Sequence, residues 1–210
     1  MGNQKEEDMN FRKALEWGGF GAGAVLIAFS IVAIAMGVNG RSTVRDSLKA
    51  EQIYFGAADD PAVAKYAPQW ADEQVQTGAQ ARAFAQVIHE HALEGSDGLA
   101  YSQMGRFVSA DDPESAAGTS DEAAALKDEK GSPVSNAARN TWVTATALST
   151  ALNVSYMAEQ TALFGIVVGI ALLLAGIGFI VLMLFGGLRQ PALAKSKEPV
   201  TGGMAQPTGV

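Results

Sequence analysis

Two uninterrupted apolar stretches constrain the fold of this 210-residue chain more than any other feature. Trp17–Val38 contains 22 residues without a charge, and Ala162–Phe185 contains 24. At about 1.5 Å per helical residue, they reach roughly 33 and 36 Å, which is enough for a hydrocarbon core of about 30 Å. A buried core helix is the alternative, but so short a chain has little polar material with which to bury two of them. The sequence therefore predicts two transmembrane helices.

The predicted fold is all-α, with two transmembrane helices extended into an extracytoplasmic helical domain. The expected segments are a cytoplasmic N-terminal segment at 1–16, a first span at 17–38, an extracytoplasmic helical domain at 39–161 with an acidic flexible loop near 109–131, a second span at 162–188 and a disordered cytoplasmic tail at 189–210.

Charge favours placing the loop outside the cell and both termini in the cytoplasm, in a plasma-membrane protein. The 39–161 segment contains 17 acidic and nine basic residues, and long acidic loops are compatible with export. The same acidic balance argues against a nucleic-acid partner. A cleaved signal peptide ending near Ala33-Ile34-Ala35 is the alternative to an uncleaved anchor. The apolar run is longer than the usual signal core of about 7–15 residues, which favours the anchor.

Local signals predict further helices in the loop domain. Asp60-Pro61 combines a helix cap with proline at the first helical position. The other expected elements are a continuation of the first helix over Arg41–Phe55, a helix over Trp70–Glu94, a shorter one over Leu99–Val108, and a long helix that begins at Ser132-Pro133 and continues into the second span.

Glycine pairs occur in both apolar stretches. Gly19 and Gly23 are four residues apart in the first, as are Gly165 and Gly169 in the second. Small residues at this spacing let two helix backbones approach closely in lipid. Glycine-rich spans also produce the pattern by chance, so ordinary small membrane-helix residues are the alternative.

The long helix has an uncharged portion outside the second apolar stretch. No charge occurs from Asn140 to Ala158, whereas a solvated helix normally carries charges around much of its surface. This portion is expected to contact neighbours on several faces, either as the inner helix of a small bundle or against a partner. Its candidate contact residues form a helical stripe of Trp142, Leu148, Leu152 and Tyr156.

Antiparallel pairing of the two spans would set a register. If the end of the first lies beside the start of the second, Arg41 falls near Glu159. Glu159 is the only charged residue between Arg139 and Arg189, and it lies at the predicted membrane border. An ion pair with Arg41 or Arg45 would offset its partial desolvation. The alternative is a carboxylate that reaches the water between lipid headgroups.

Enzyme chemistry has little support in the sequence. The chain has no cysteine, and its two histidines occur in His89-Glu90-His91. The zinc motif H-E-x-x-H would need histidine where Leu93 stands. No catalytic, cofactor-binding or metal-binding residues are expected, and no cofactor.

Several segments resemble a group of actinobacterial two-span membrane proteins of uncharacterised function. The resemblance is strongest from Asn136 through Trp142 and Leu148 to Glu159, with further similarity at 38–44, 78–82 and 101–106. It implies an actinobacterial cell envelope and supplies no catalytic residues. Some members of the group carry ring-opening dioxygenase names, but two neighbouring histidines alone cannot assemble the iron ligands of such an enzyme.

Two functional hypotheses follow. The first is a non-enzymatic structural or accessory component of the envelope, which contacts the lipid bilayer and either a membrane-protein partner or further copies of itself. The second is a sensor or regulatory subunit whose extracytoplasmic helical domain binds a ligand.

Overall fold

The computed structural model describes residues 2–185, and regular secondary structure in this range is helical. The helices are α1 (Gly2–Ala50), α2 (Pro61–Tyr66), α3 (Gly78–Glu94) and α4 (Ala137–Phe185), with short 3-10 turns at Pro68–Trp70 and Tyr101–Gln103. The predicted all-α class is confirmed for this part of the chain. The predicted tail at 189–210 and the end of the second span at 186–188 lie outside it.

Two of the helices are long and apolar enough to cross a membrane. They occupy Lys13–Ala50 and Ala137–Phe185. In their most apolar stretches only 17% and 11% of the residues are buried, whereas the core helix of a soluble protein would be mostly buried. A signal sequence near an N-terminus shares the length and composition of the first. The low burial favours helices that face lipid.

The contacts divide the chain into two compact units. Of the described residues, 27–174 form one unit, and 2–26 together with 175–185 form the other. In the second unit, a Cβ atom added at Gly23 would lie 3.0 Å from the carbonyl oxygen of Gly176, and one at Gly19 would lie 2.7 Å from Cε of Met183. Gly19 and Gly23 therefore face α4 at close range.

In the larger unit, α1 and α4 also pack with their backbones close together. A Cβ atom added at Gly37 would lie 2.6 Å from the carbonyl oxygen of Ala162, and one at Gly169 would lie 3.1 Å from that of Ser30. Gly165 is less constrained, since its added Cβ would be 4.0 Å from Cα of Gly37. Gly23, Ser30 and Gly37 recur every seven residues, which keeps small side chains on one helix face.

The helices α2 and α3 begin at side-chain caps. The predicted start of α2 is confirmed, because Asp60 Oδ1 accepts hydrogen bonds from the amides of Ala62 and Val63. The predicted start of α3 at Trp70 is wrong. Thr77 caps α3 in a capping box with Gln80, and the bend before it includes Asp72 at φ 61°. The end of α3 at Glu94, followed by Gly95, agrees with the sequence prediction.

Most of the segment from 105 to 136 consists of extended chain held by backbone hydrogen bonds. The Val108 amide donates to the carbonyl of Val134, and the amides of Leu126 and Val134 donate to those of Val108 and Leu126, each at 2.9 Å. The predicted helix over Leu99–Val108 is therefore wrong beyond the short turn at Tyr101–Gln103. The segment near 109–131, predicted as an acidic flexible loop, takes part in this backbone pairing. Weak hydrophobic patterning concealed pairing that depends on backbone groups.

The start of α4 at Ala137 also corrects the sequence prediction of Ser132-Pro133. Asn136 Oδ1 accepts a hydrogen bond from the amide of Arg139, while its Nδ2 donates to the carbonyls of Gly105 and Ala116. Asn136 therefore begins the helix and fastens it to the extended segment. At the other long helix, α1 ends at Ala50 rather than continuing to Phe55.

The α1–α4 packing predicts that Gly37→Ala destabilises the protein. The added methyl would meet the backbone of α4, which cannot rotate away, and such overpacking typically costs about 1–3 kcal/mol. Thermal unfolding in detergent, followed by circular dichroism, measures the effect. Gly40→Ala is the matched control, because its Cβ would lie 3.5 Å from that of Ala162, an ordinary contact. Equal melting temperatures for the two variants would contradict the prediction.

Candidate functional site

Glu159 stands at a position that the packing of α4 reserves for buried side chains. Ala145, Leu152 and Glu159 are seven residues apart, and each is at most 9% exposed. Seven residues make nearly two helical turns, so the three lie on one face. Leu152 belongs to the core of the larger unit, with Leu48, Phe55, Val63, Val75 and Val87. The buried face of α4 therefore includes the carboxylate of Glu159, which lies at the end of the hydrophobic core.

Three donors from two other elements converge on this carboxylate. Nε of Arg41 and Nε of Arg45 donate to Oε1 of Glu159 at 2.9 and 2.8 Å. The backbone amide of Gly78 donates to Oε2 at 2.5 Å. We refer to these four residues as the Glu159 cluster. It joins α1, the first turn of α3 and α4 within one unit of the chain.

The cluster keeps Glu159 ionised. Burial raises the pKa of its carboxyl, but hydrogen bonds from Arg41, the Gly78 amide and Arg45 outweigh burial and hold the pKa below its ordinary value of 4.5. The N-terminus of α3 contributes in the same direction, because its free amides carry partial positive charge.

Gly78 allows α3 to approach α4 closely. A Cβ atom added there would lie 2.9 Å from both Cα of Tyr156 and Oε2 of Glu159. The guanidinium carbon of Arg82, one turn later, lies 4.9 Å from the centre of the Tyr156 ring. Sequence reasoning missed Gly78. The available signal was the capping pair of Thr77 and Gln80, which marks the helix start where an anion finds free amides.

The four residues of the predicted stripe have different environments. Leu152 is buried in the core, and Tyr156 is half-buried beneath Arg82. The Trp142 ring meets His89 edge-on, with ring centres 5.2 Å apart. Leu148 is 52% exposed at the edge of a groove. The stripe is therefore the side of α4 that faces α1 and α3, together with the rim of that packing.

An apolar groove follows this side of α4. One part has a volume of about 480 Å³ and is lined by Ser47, Leu48, Glu51, Ile53, Phe84, Ile88, Leu148, Ala151, Leu152 and Ser155. A second part, of about 450 Å³, shares Ile88 and Leu148 with it and extends to His91 and Asn140. These volumes fall in the range of small-molecule sites, roughly 300–1,000 Å³. The lining can hold an apolar group with few directed hydrogen bonds.

The opposite side of α4 is exposed and uncharged, which corrects the first alternative, an inner helix of a small bundle, while contact with a partner stays a prediction. The residues on this side alternate at spacings of four and three, the repeat of a helix-pairing seam. Val154, Met157 and Phe164 are 58%, 66% and 68% exposed. We call the following set the outer stripe: Val143, Ala147, Thr150, Val154, Met157, Thr161 and Phe164.

No metal centre is evident in the described part of the chain. It contains no group of three histidine, cysteine, aspartate or glutamate residues able to hold an ion. His91 instead pairs with the α2 cap, its Nε2 lying 3.1 Å from Oδ2 of Asp60. His89 packs against Trp142. The histidine pair therefore has structural neighbours in α2 and α4.

No protein-family model, curated protein or solved structure matches this chain.

The cluster predicts that Glu159→Gln destabilises the protein. Glutamine keeps the shape but loses the negative charge that balances two guanidinium groups, and hydrogen bonds to charged groups contribute about 1.5–3 kcal/mol each. A double-mutant cycle with Arg45→Gln, read by chemical unfolding, isolates the interaction. We expect a coupling energy of about 1 kcal/mol or more. Strictly additive losses would show that the two side chains do not interact.

The low pKa of Glu159 predicts acid sensitivity of a definite sign. A carboxyl whose pKa is lower folded than unfolded contributes stability that is complete above its unfolded value and declines as pH falls through its folded value. Unfolding free energies of the wild type and Glu159→Gln should therefore converge as pH falls from 6 to below about 4. Comparing the two proteins removes the similar contributions of Asp60 and Glu90. A difference independent of pH would refute this assignment.

Proposed function

We propose that this chain is an integral membrane protein of the cell envelope and a non-enzymatic structural or accessory component that acts through protein contacts. The proposal includes two spans, both termini in the cytoplasm, residues 39–161 outside, and membership of the actinobacterial two-span group. The low burial of both long apolar helices supports the membrane placement. The charge balance of 39–161 supports the orientation.

The observation that carries the proposal is the outer stripe of α4. A helix outside the bilayer that exposes Val154 and Met157, and carries no charged residue from Asn140 to Ala158, leaves apolar surface in water. Soluble surfaces rarely do so over such a length. Another helix packed along the stripe would cover this surface. The spacing of four and three residues is the spacing that helix pairs use.

The two hydroxyl groups of the outer stripe, those of Thr150 and Thr161, are bonded within the helix. Oγ1 of Thr150 donates to the carbonyl of Thr146 at 2.8 Å, and Oγ1 of Thr161 donates to that of Met157 at 2.9 Å. Threonines bonded in this way present their methyl groups outward and need no water as acceptor. The stripe can therefore be covered by an apolar helix without leaving buried donors unpaired.

Continuity with the apolar stretch indicates the kind of partner. The outer stripe continues from Thr161 to Phe164, into the second apolar stretch. A helix that packs on the outer stripe outside the bilayer would therefore continue beside α4 in lipid. The partner proposed is therefore a membrane helix, supplied either by a second copy of this chain or by another membrane protein.

The groove between α1, α3 and α4 supports a second candidate function. A ligand-binding sensor or regulatory subunit would need a mostly apolar cavity of small-molecule size, and the part of about 480 Å³ meets that need. Glu51 at its edge would favour a ligand with a positive or hydrogen-bond-donating end. Ligand binding that changes helix pairing along the outer stripe would combine the two functions.

Cysteine crosslinking in intact membranes tests the proposal, because the natural chain contains no cysteine. Thr150→Cys places a thiol in the outer stripe. We expect oxidation, or a short bifunctional maleimide, to join this variant to a membrane helix of a second copy or of another protein. A crosslinked product of twice the mass of the chain identifies a second copy as the partner, and a product of any other mass identifies another protein. A membrane-impermeant maleimide added outside the cell should reach a thiol in Thr144→Cys, because this residue is exposed on another side of α4.

Thr144→Cys is the matched control, since it is also an exposed threonine on α4 but is six residues away and so on another side of the helix. Equal crosslinking of both variants would indicate random collision rather than a seam. Absence of any adduct from Thr150→Cys and its neighbour Val154→Cys would contradict the proposed contact.

A further inference from the structure

The arginines of the Glu159 cluster have binding capacity that the carboxylate does not use. Both approach Oε1 of Glu159 through Nε. Among residues 13–185, no group accepts a hydrogen bond from the terminal Nη atoms of either arginine. Their side chains are 41% and 36% exposed. Each arginine thus presents the two-pronged end of its guanidinium group outward, the geometry that binds phosphate oxygens in pairs.

The charge balance of the cluster favours an anion. Two guanidinium groups face one carboxylate, and the first turn of α3 adds the partial positive charge of a helix N-terminus. Asp46, the next carboxylate along α1, accepts a hydrogen bond from Ser42. Counted over its own four residues, the Glu159 cluster carries one more positive charge than negative charge.

A small cleft lies beside these groups. It has a volume of about 170 Å³ and is lined by Arg41, Arg45, Thr77, Ala79, Glu159, Gln160 and Leu163. A liquid water molecule occupies about 30 Å³, so the cleft holds a group of a few heavy atoms rather than a drug-sized ligand. Thr77 and Gln160 add polar groups at its wall, while Leu163 gives it an apolar side next to the second apolar stretch.

The depth of the cleft matches a layer of the bilayer that contains phosphate. Glu159 precedes Ala162 by three residues, which is about 5 Å of helix. The headgroup layer extends roughly 5–8 Å beyond the hydrocarbon core on each side. Because both arginines converge on Glu159, their guanidinium groups lie at its depth rather than at the heights of their own Cα atoms. This depth depends on the membrane placement proposed above.

We propose that Arg41 and Arg45 form a phosphate-binding site, open at the membrane border and anchored from behind by Glu159. Glu159 fixes both Nε atoms, so the Nη atoms are held in place before a phosphate arrives. The phosphate belongs to a lipid headgroup or to a soluble phosphate compound, and both present the same oxygens.

Binding to the detergent-solubilised full chain, measured by native mass spectrometry and calorimetry, tests the site. The probes are phosphatidic acid, diacylglycerol with the same acyl chains, and inorganic phosphate. We expect phosphatidic acid to bind and diacylglycerol not to bind. Loss of both arginines, in Arg41→Gln with Arg45→Gln, should weaken binding roughly tenfold or more, because charge-assisted bidentate contacts are removed.

Lys49→Gln is the matched control, since it removes a positive charge from the same helix one turn beyond Arg45. A loss equal to that of the arginine variants would overturn the site in favour of general charge attraction. The Arg41→Gln, Arg45→Gln variant leaves the Glu159 carboxylate buried without a guanidinium partner, which by itself could unfold the protein. A triple variant that also carries Glu159→Gln removes this unpaired charge and should show the same loss of binding. Arg45→Lys keeps the charge without the fork and should lose affinity severalfold with the fold intact.

The two sources give different results. Arginine-dependent binding of phosphatidic acid supports a lipid headgroup, and arginine-dependent binding of inorganic phosphate alone supports a soluble compound. Binding of neither, or binding of both that is unchanged in the arginine variants, overturns the proposal. The inorganic phosphate measurement needs no bilayer, so it separates failure of this site from failure of the membrane placement.

Discussion

The carboxylate of Glu159 is the one charged group that the packed face of α4 must accommodate, and three parts of the chain meet in doing so. Arg41 and Arg45 come from α1, and the amide of Gly78 comes from the start of α3. A buried carboxylate without such donors would be strongly destabilising. The directions of α1, α3 and α4 at this point are therefore set together, and the core around Leu152 continues from them.

Close backbone packing of α1 and α4 provides the second constraint. Gly37 and Gly169 allow contacts that a side chain would prevent, and Ser30 between them is fully buried. Two glycine pairs in the sequence, Gly19 with Gly23 and Gly165 with Gly169, predicted close helix contact. In the structure, the small residues of α1 that face α4 recur every seven positions, at Gly23, Ser30 and Gly37. A serine among apolar residues conceals that recurrence. These contacts use only one side of α4, so the outer stripe on the opposite side stays exposed.

Predictability from the sequence followed the strength of each local signal. The long apolar runs predicted both long helices, and the antiparallel register predicted the contact between Arg41 and Glu159. The start of α3 was misplaced because Asp72 and Glu73 imitate an acidic first turn, whereas the capping pair of Thr77 and Gln80 decides the start. The extended structure of residues 105–136 could not be predicted, because it depends on backbone hydrogen bonds between distant segments and on the side-chain amide of Asn136. Gly78 belongs to the same class, because its role depends on a partner 81 residues away.

That separation has a consequence for biosynthesis. The partners of Glu159 precede it by 118, 114 and 81 residues, so a ribosome completes α1 and α3 long before the carboxylate exists. Until α4 emerges, Arg41, Arg45 and the amide of Gly78 lack the carboxylate that they bind in the folded chain. Contacts of such long range close late in folding. The newly made chain therefore passes through a stage in which Arg41 and Arg45 are present without the Glu159 carboxylate, which α4 supplies later.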